Sequence, residues 1–399
     1  MSTDKHRGVA LRTRLQHAGR DTRVEGGSPV NPPIVRASTI LFDSVAELED
    51  VRARRSTERL LSYGARGNPT AFALEDLISE LEGGYRTRLF PTGLAAITQA
   101  LIAYLKPGDH VLITDAVYGP VRNFALRFFE RYGIRYSFFA ADGSDIAQRY
   151  LPETRLVYVE SPGSLAYEIV DLPALVQGAH AHGALVAADN TWGAGGYLYQ
   201  PLRHGADIVI SAATKYLSGH SDVVMGAVTT REAVWQTFNL SADAHGMTVS
   251  PDDAWLVLRG ARTLASRLSV HAATALELSR WLAEHEAVAY VLHPALPEDP
   301  GHALWKRDFS GSNGLLSFAL KDQRPGRAEA VVDNLRLFGI GASWGGFESL
   351  VMVAELSNVR SVSDWRGRGT IIRLHAGLEA PGDLIADLEQ ALSVLPNAY

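Results

Sequence analysis

From about residue 68 the chain alternates between short apolar runs and amphipathic stretches, and this rhythm limits the fold more than any other feature. The apolar runs are RTRLF (86–90), HVLITD (110–115), YSFFA (136–140), LVYVE (156–160), ALVAAD (184–189), DIVISAA (207–213) and MGAVTT (225–230). A helical pattern from Pro69 to Leu81 precedes them and stops at Gly83-Gly84, a normal helix end. Helical patterns at Leu94–Leu105, Val121–Arg131 and Leu172–His182 lie between the runs. Alternation of this kind predicts an α/β domain with a large, mainly parallel, seven-stranded sheet covered by helices on both faces.

The flanks read differently. Residues 1–60 have weak periodicity and are broken by GGSPVNPP (26–33), so they predict an extended arm suited to gripping another subunit. The basic run VRARRSTER (51–59) reads as a solvated helix face. Beyond the alternating region, Asp252–Glu286 predicts one long connector helix, with Pro251 near its start. Strands LLSFAL (315–320) and GTIIRLHAG (369–377) then mix with helices Arg327–Phe338 and Leu384–Leu395, predicting a smaller α+β domain. The expected organisation is an arm (1–60), an α/β domain (61–251), and a connector with the C-terminal domain (252–399).

Composition removes several function classes. The 399 residues include no cysteine, which excludes disulfides, thiolate nucleophiles, sulfur-ligated zinc and iron–sulfur clusters. With 38 basic and 44 acidic residues the net charge is −6, without the excess of positive charge expected of a nucleic-acid partner. No run approaches the roughly 18 apolar residues that span a bilayer, so no membrane association is expected. The N-terminal MSTDKHRGVALRTRL lacks an apolar secretory core, and a solvated arm in a cytoplasmic protein is the expectation. His204, His220 and His245 lack ligand spacing, so no metal site is expected.

Five lysines occur, and only Lys215, in ISAATKYLSGHSD (210–222), follows an apolar strand in a small-residue setting. Desolvation there would lower its pKa and make it a candidate amine nucleophile, although a surface lysine at a loop mouth fits the same pattern. Asp189 ends the strand in ALVAADNTWGAGG (184–196), and the carboxyl ends of parallel strands are where such sheets bind ligands. A turn-forming aspartate is the competing reading. In FPTGLAAITQAL (90–101), Gly93 and Leu94 would offer free amides at a helix N-terminus, a phosphate cradle or simply an ordinary turn. Tyr118, after HVLITD at the same sheet edge, could stack on a flat cofactor or simply pack. Arg373 lies mid-strand among apolar residues and needs a partner, either a ligand carboxylate or an internal acid. Together these five features make the set that pyridoxal phosphate requires.

The chain also resembles the pyridoxal-phosphate enzymes of cysteine and methionine metabolism, and within them the β-eliminating branch. The resemblance runs through TRLQHAGR (13–20), YGARGNPT (63–70), LEGG (81–84), DNTWGAG (189–195), AATKYLSGHSD (212–222), DFSGSNGLLSFAL (308–320), SWGGFESL (343–350) and IRLHAGLE (372–379). It implies the aspartate-aminotransferase-like fold (fold type I) and a homotetramer built from active dimers. It implies Lys215 as the lysine that carries the cofactor, Asp189 as partner of the pyridine nitrogen and Tyr118 as the stacking ring. Gly93, Leu94 and Thr214 become phosphate-binding positions. Arg373 becomes the substrate-carboxylate arginine, with Ser343 and Trp344 beside it, and Tyr63 reaches into the neighbouring subunit's site. Three positions depart from the family pattern. Ala65 stands where an arginine usually donates to the neighbour's phosphate, leaving Arg66 as the candidate substitute. Ala212 replaces a frequent serine, and Ala342 a frequent tyrosine. The implied reaction is α,β-elimination of an amino-acid thioether, cystathionine first, with Lys215 moving the proton and Tyr118 as the alternative donor. γ-Chemistry and a broader cysteine-S-conjugate lyase are the alternatives.

Overall fold

A computed structural model describes residues 8–20 and 27–394. The tail through residue 7 with Lys5, residues 21–26, and residues 395–399 lie outside that description. Seven strands follow the predicted runs: β1 (Arg86–Phe90), β2 (His110–Thr114), β3 (Arg135–Phe139), β4 (Thr154–Glu160), β5 (Leu185–Asp189), β6 (Ile208–Ala212) and β7 (Gly226–Thr230). They form one sheet in the order β1-β7-β6-β5-β4-β2-β3. Pairing is parallel from β6 through β3, while β7 runs antiparallel to both its neighbours. Every residue of β2 and β7 is buried, as expected for strands covered on both faces.

A second sheet contains β8 (Val288–Leu292), β9 (Leu315–Leu320), β10 (Gly339–Ile340), β11 (Leu350–Ala354) and β12 (Ile371–His375), in the order β10-β11-β12-β9-β8. Only β9 and β12 were expected from the sequence. Arg373 sits at the centre of β12, opposite Met352 of β11 and Ser317 of β9.

The predicted single connector is two helices, Pro251–Ala261 and Leu264–Glu284. At the break the Gly260 carbonyl accepts from Thr263 N and from the Arg267 guanidinium (2.8 Å), which also grips the Tyr216 carbonyl (2.8 Å). Those bonds replace the regular helical ladder and seat the turn against the loop after Lys215. The helix expected over Arg327–Phe338 stops at Asp333, and Val121–Arg131 is a short α-helix Gly119–Phe124 continued by a π-turn, Ala125–Phe129. The described part of the arm is not wholly extended. It carries helix Leu11–His17, whose Leu15 is fully buried in the large core, and helix Val45–Arg54, which buries nothing. That second helix accounts for the first part of the basic run.

The loop before β12 is latched to the large sheet beside Tyr118. The buried Asp115 carboxylate accepts from the amides of Ser361, Val362 and Ser363 and from Arg122 (2.6 Å). Against the opposing effect of burial, the three amides and the Ser361 hydroxyl hold its pKa down to about 2.

Candidate active site

The carboxyl ends of β4, β5 and β6 and the middle of β12 converge on one cavity of about 300 Å³. Among the residues lining it are Gly93, Tyr118, Asp189, Thr214, Lys215 and Arg373.

Lys215 follows β6 in a turn closed by its own amide, which donates to the Ala212 carbonyl (3.1 Å). Its Nζ donates to Ser343 Oγ (2.8 Å) and lies 5.2 Å from the centroid of the Trp344 ring. Burial, then the nearby Arg373 charge, lowers its pKa to about 8. Lys215 is therefore a partly buried amine lining the cavity.

Arg373 is only 3% exposed, yet it is in no ion pair among the described residues. One Nη donates to the Gly341 carbonyl (3.0 Å), and the buried Nε has no partner. Burial depresses its pKa. An isolated buried guanidinium is costly unless a ligand anion completes it, so the internal ion pair drops out as an explanation.

Asp189 is buried and accepts three hydrogen bonds, from Thr191 N (2.9 Å), Thr191 Oγ1 (2.6 Å) and Tyr158 OH (3.1 Å). Burial raises its pKa and these donors oppose the rise. Its neighbour in the sheet register is Glu160, partly buried and lining the cavity. Among the described residues Glu160 accepts only from the Tyr118 amide (2.7 Å), and burial followed by the Asp189 charge pushes its pKa well above the usual range. Two adjacent carboxylates in low dielectric do not both ionise. Burial pushes both toward the neutral form, and Asp189, with three donors against one, is the better supplied of the two to carry charge. The sequence reading missed Glu160, although its place at the end of the LVYVE run was a usable signal.

Helix Gly93–Ile102 points its N-terminus at the cavity. Thr92 caps it by accepting from Ala95 N (2.9 Å), while the Gly93 and Leu94 amides have no acceptor among the described residues. A Cβ on Gly93 would stand 2.9 Å from Ala212 Cβ, so glycine permits this close approach. Thr214 lines the cavity, but its hydroxyl is engaged with Met225, donating to the carbonyl (3.1 Å) and accepting from the amide (2.9 Å). Tyr118 is half-exposed, and burial with the Glu160 and Asp189 charges raises its pKa, so it stays protonated near neutrality.

Two predicted residues are not brought to this cavity. Tyr63 is half-exposed in an outer depression shared with Arg36 and Ala65. Arg66 pairs with Asp243, which also accepts from Arg88 (2.6 Å), so its guanidinium is engaged well away from the cavity. Ala212 and Ala342 both line the cavity. Among the described residues no group of acids and histidines could hold a metal, and no helix is long and apolar enough to cross a membrane.

The residues fit pyridoxal phosphate: an amine of lowered pKa, a buried carboxylate with three hydrogen-bond donors and, among the described residues, two free helix-terminal amides and a guanidinium with an unpartnered Nε. Fold and site together define a fold-type I pyridoxal-phosphate enzyme. The chain belongs to the Cys/Met metabolism PLP-dependent enzyme family, which it matches over residues 12–393. It is 47% identical to a cystathionine β-lyase of Bordetella avium over 95% of this chain and 96% of that one. It is 38% identical to an L-alanine/L-glutamate racemase of Wolbachia pipientis, covering 96% of each chain. The crystal structure of cystathionine γ-lyase from Lactobacillus plantarum in complex with L-serine superposes with a TM-score of 0.85 at 29% identity, covering 96% of this chain and 99% of that one.

Proposed function

We propose that the chain catalyses α,β-elimination of L-cystathionine, consuming water and releasing homocysteine, pyruvate and ammonia, as a step toward methionine. The observation that carries this reading is the meeting of Lys215 and the unpartnered Arg373 in one cavity beside Asp189. The family relationship and the β-lyase of Bordetella avium support it.

In this reading Asp189 pairs with the cofactor's ring nitrogen and Tyr118 covers its face. The Gly93 and Leu94 amides take its phosphate, with Thr214 joining if its hydroxyl turns from Met225. Bound there, the cofactor supplies an electron sink for the pair left at Cα. Arg373 grips the substrate α-carboxylate through its free guanidinium edge and fixes the orientation of the Cα–H bond. Lys215, with a pKa of about 8, accepts the Cα proton and returns a proton to the departing sulfur. Ser343, which accepts from Lys215 Nζ (2.8 Å), keeps the amine aimed. The raised pKa of Tyr118 makes it a proton donor and not a base.

The proposal extends to assembly: a cytoplasmic homotetramer of active dimers, with Tyr63 reaching the cavity of a second copy and the arm contacting that copy. The outward placement of Tyr63 supports this. Arg66, engaged by Asp243, is dropped as the phosphate substitute. Residues 61–251 then form the cofactor domain and 252–399 the connector and C-terminal domain.

Product identification with purified holoenzyme and L-cystathionine tests the reading. Pyruvate that disappears in Lys215→Ala supports it. 2-Oxobutanoate would assign γ-elimination instead, and D-alanine formed from L-alanine without pyruvate would assign racemisation. Solution mass tests the assembly, and a monomer would refute it.

A further inference from the structure

His375 lies two residues after Arg373 on β12, on the same face of the strand, and is fully buried. Its two ring nitrogens have different partners. Nε2 stands 3.0 Å from the Gly345 amide, and Nδ1 stands 3.2 Å from the Glu348 carbonyl. An amide can only donate and a carbonyl can only accept, so Nε2 is bare and Nδ1 carries the proton. The ring therefore closes the Gly345–Glu348 turn by bonding both ends of it.

That turn is pressed onto the catalytic lysine's backbone. Gly345 has φ +90°, and a Cβ there would lie 2.9 Å from Lys215 C and 2.9 Å from Tyr216 N. The two residues just before the turn are Ser343, which accepts from Lys215 Nζ, and Trp344, whose ring lies 5.2 Å from it. The imidazole is backed by Tyr216 and His271, with ring centroids 5.9 Å and 5.2 Å away, so it has little room to swing. Burial pushes its pKa well below the ordinary value, and the positive charges of Arg373 and Lys215 act in the same direction.

We infer that His375, as a neutral imidazole protonated on Nδ1, is a positioning residue that holds the Gly345–Glu348 turn against Lys215 and thereby sets Ser343 and Trp344 at the amine. It touches neither substrate nor cofactor. This role presupposes the proton-transfer function proposed for Lys215, but the hydrogen-bond assignment stands apart from it.

Two substitutions separate the ring's two bonds. His375→Asn keeps a donor near the Nδ1 position and loses the acceptor for Gly345. His375→Gln carries an amide oxygen as far as the Nε2 position and keeps that acceptor. With the holoenzyme and L-cystathionine, His375→Asn should lower kcat by about tenfold or more with KM changed less than about threefold, because proton transfer is misaligned while Arg373 still binds the carboxylate. His375→Gln should return kcat to within about threefold of wild type. Amide hydrogen exchange read by mass spectrometry should show Gly345 protected in wild type and His375→Gln, and exchanging at least about tenfold faster in His375→Asn. Equal kcat in both variants, or a change confined to KM, would overturn the assignment. If His375→Asn does not fold, an unprotected Gly345 amide in folded wild type overturns it alone. If wild type releases no pyruvate, the elimination reading fails, and the exchange measurement still decides the role of His375.

Discussion

Arg373 offers an unusual prediction, because activity and stability should move in opposite directions. Its guanidinium is buried, and among the described residues its Nε has no partner and its one hydrogen bond goes to the Gly341 carbonyl. Replacing it with methionine keeps most of the volume and removes the charge. A substrate carboxylate left without its buried partner loses about 2–5 kcal/mol of binding. At 1.4 kcal/mol per tenfold, kcat/KM should fall by roughly 30-fold to several thousandfold. The unliganded fold, by contrast, is relieved of a buried unpaired donor, a burden of about 1–3 kcal/mol. The depressed pKa of Arg373 has the same sign: the fold disfavours its charged form. Arg373→Met should therefore keep or raise Tm while nearly abolishing pyruvate release, measured by a coupled dehydrogenase assay and by thermal unfolding. A kcat/KM loss below about tenfold would show that this arginine does not bind the carboxylate. A marked fall in Tm would show that it has an internal partner after all.

Further outcomes follow from the same geometry. Glu160→Gln should change kcat/KM by less than about threefold, since burial already favours the neutral form of Glu160, whereas Asp189→Asn should cost at least about thirtyfold and weaken cofactor retention on dialysis. The Asp115 carboxylate titrates near 2 in the fold and near 3.8 otherwise, so its contribution is fully present above about pH 4 and is lost as pH falls through 4 to 2. Urea unfolding should show roughly 2 kcal/mol of that acid sensitivity missing in Asp115→Asn. Asp243→Ala should remove the shared acid of Arg66 and Arg88, leaving Arg88 only its bond to Asn239, and lower the urea midpoint by the equivalent of about 1–3 kcal/mol, without the loss of kcat expected of a site residue.

The large sheet was legible because its strands are short apolar runs punctuated by turns, and period and burial are local properties. All seven runs appear as strands, with ends shifted by a residue or two. The small sheet was less legible. β8 and β11 each bury a single residue and leave the other four partly or fully exposed, so they carry no strong local signal. The connector looked continuous because its break comes from Arg267 bonding to Gly260 and Tyr216, a tertiary contact invisible to periodicity.

The site divides along the same line. By itself the sequence determined that Asp189 ends and Lys215 follows a strand of the large sheet and that Gly93 and Leu94 stand at a helix start, because those positions follow from local pattern. Tertiary structure alone decided who pairs with whom. Arg373 could have met an acid, but none arrives beside it. Arg66 meets one from 177 residues away and is tied down. His375 finds a donor on one ring nitrogen and an acceptor on the other, both from a turn of another segment. Partner choice depends on which distant segments the packing brings together, and no periodicity within a segment records that.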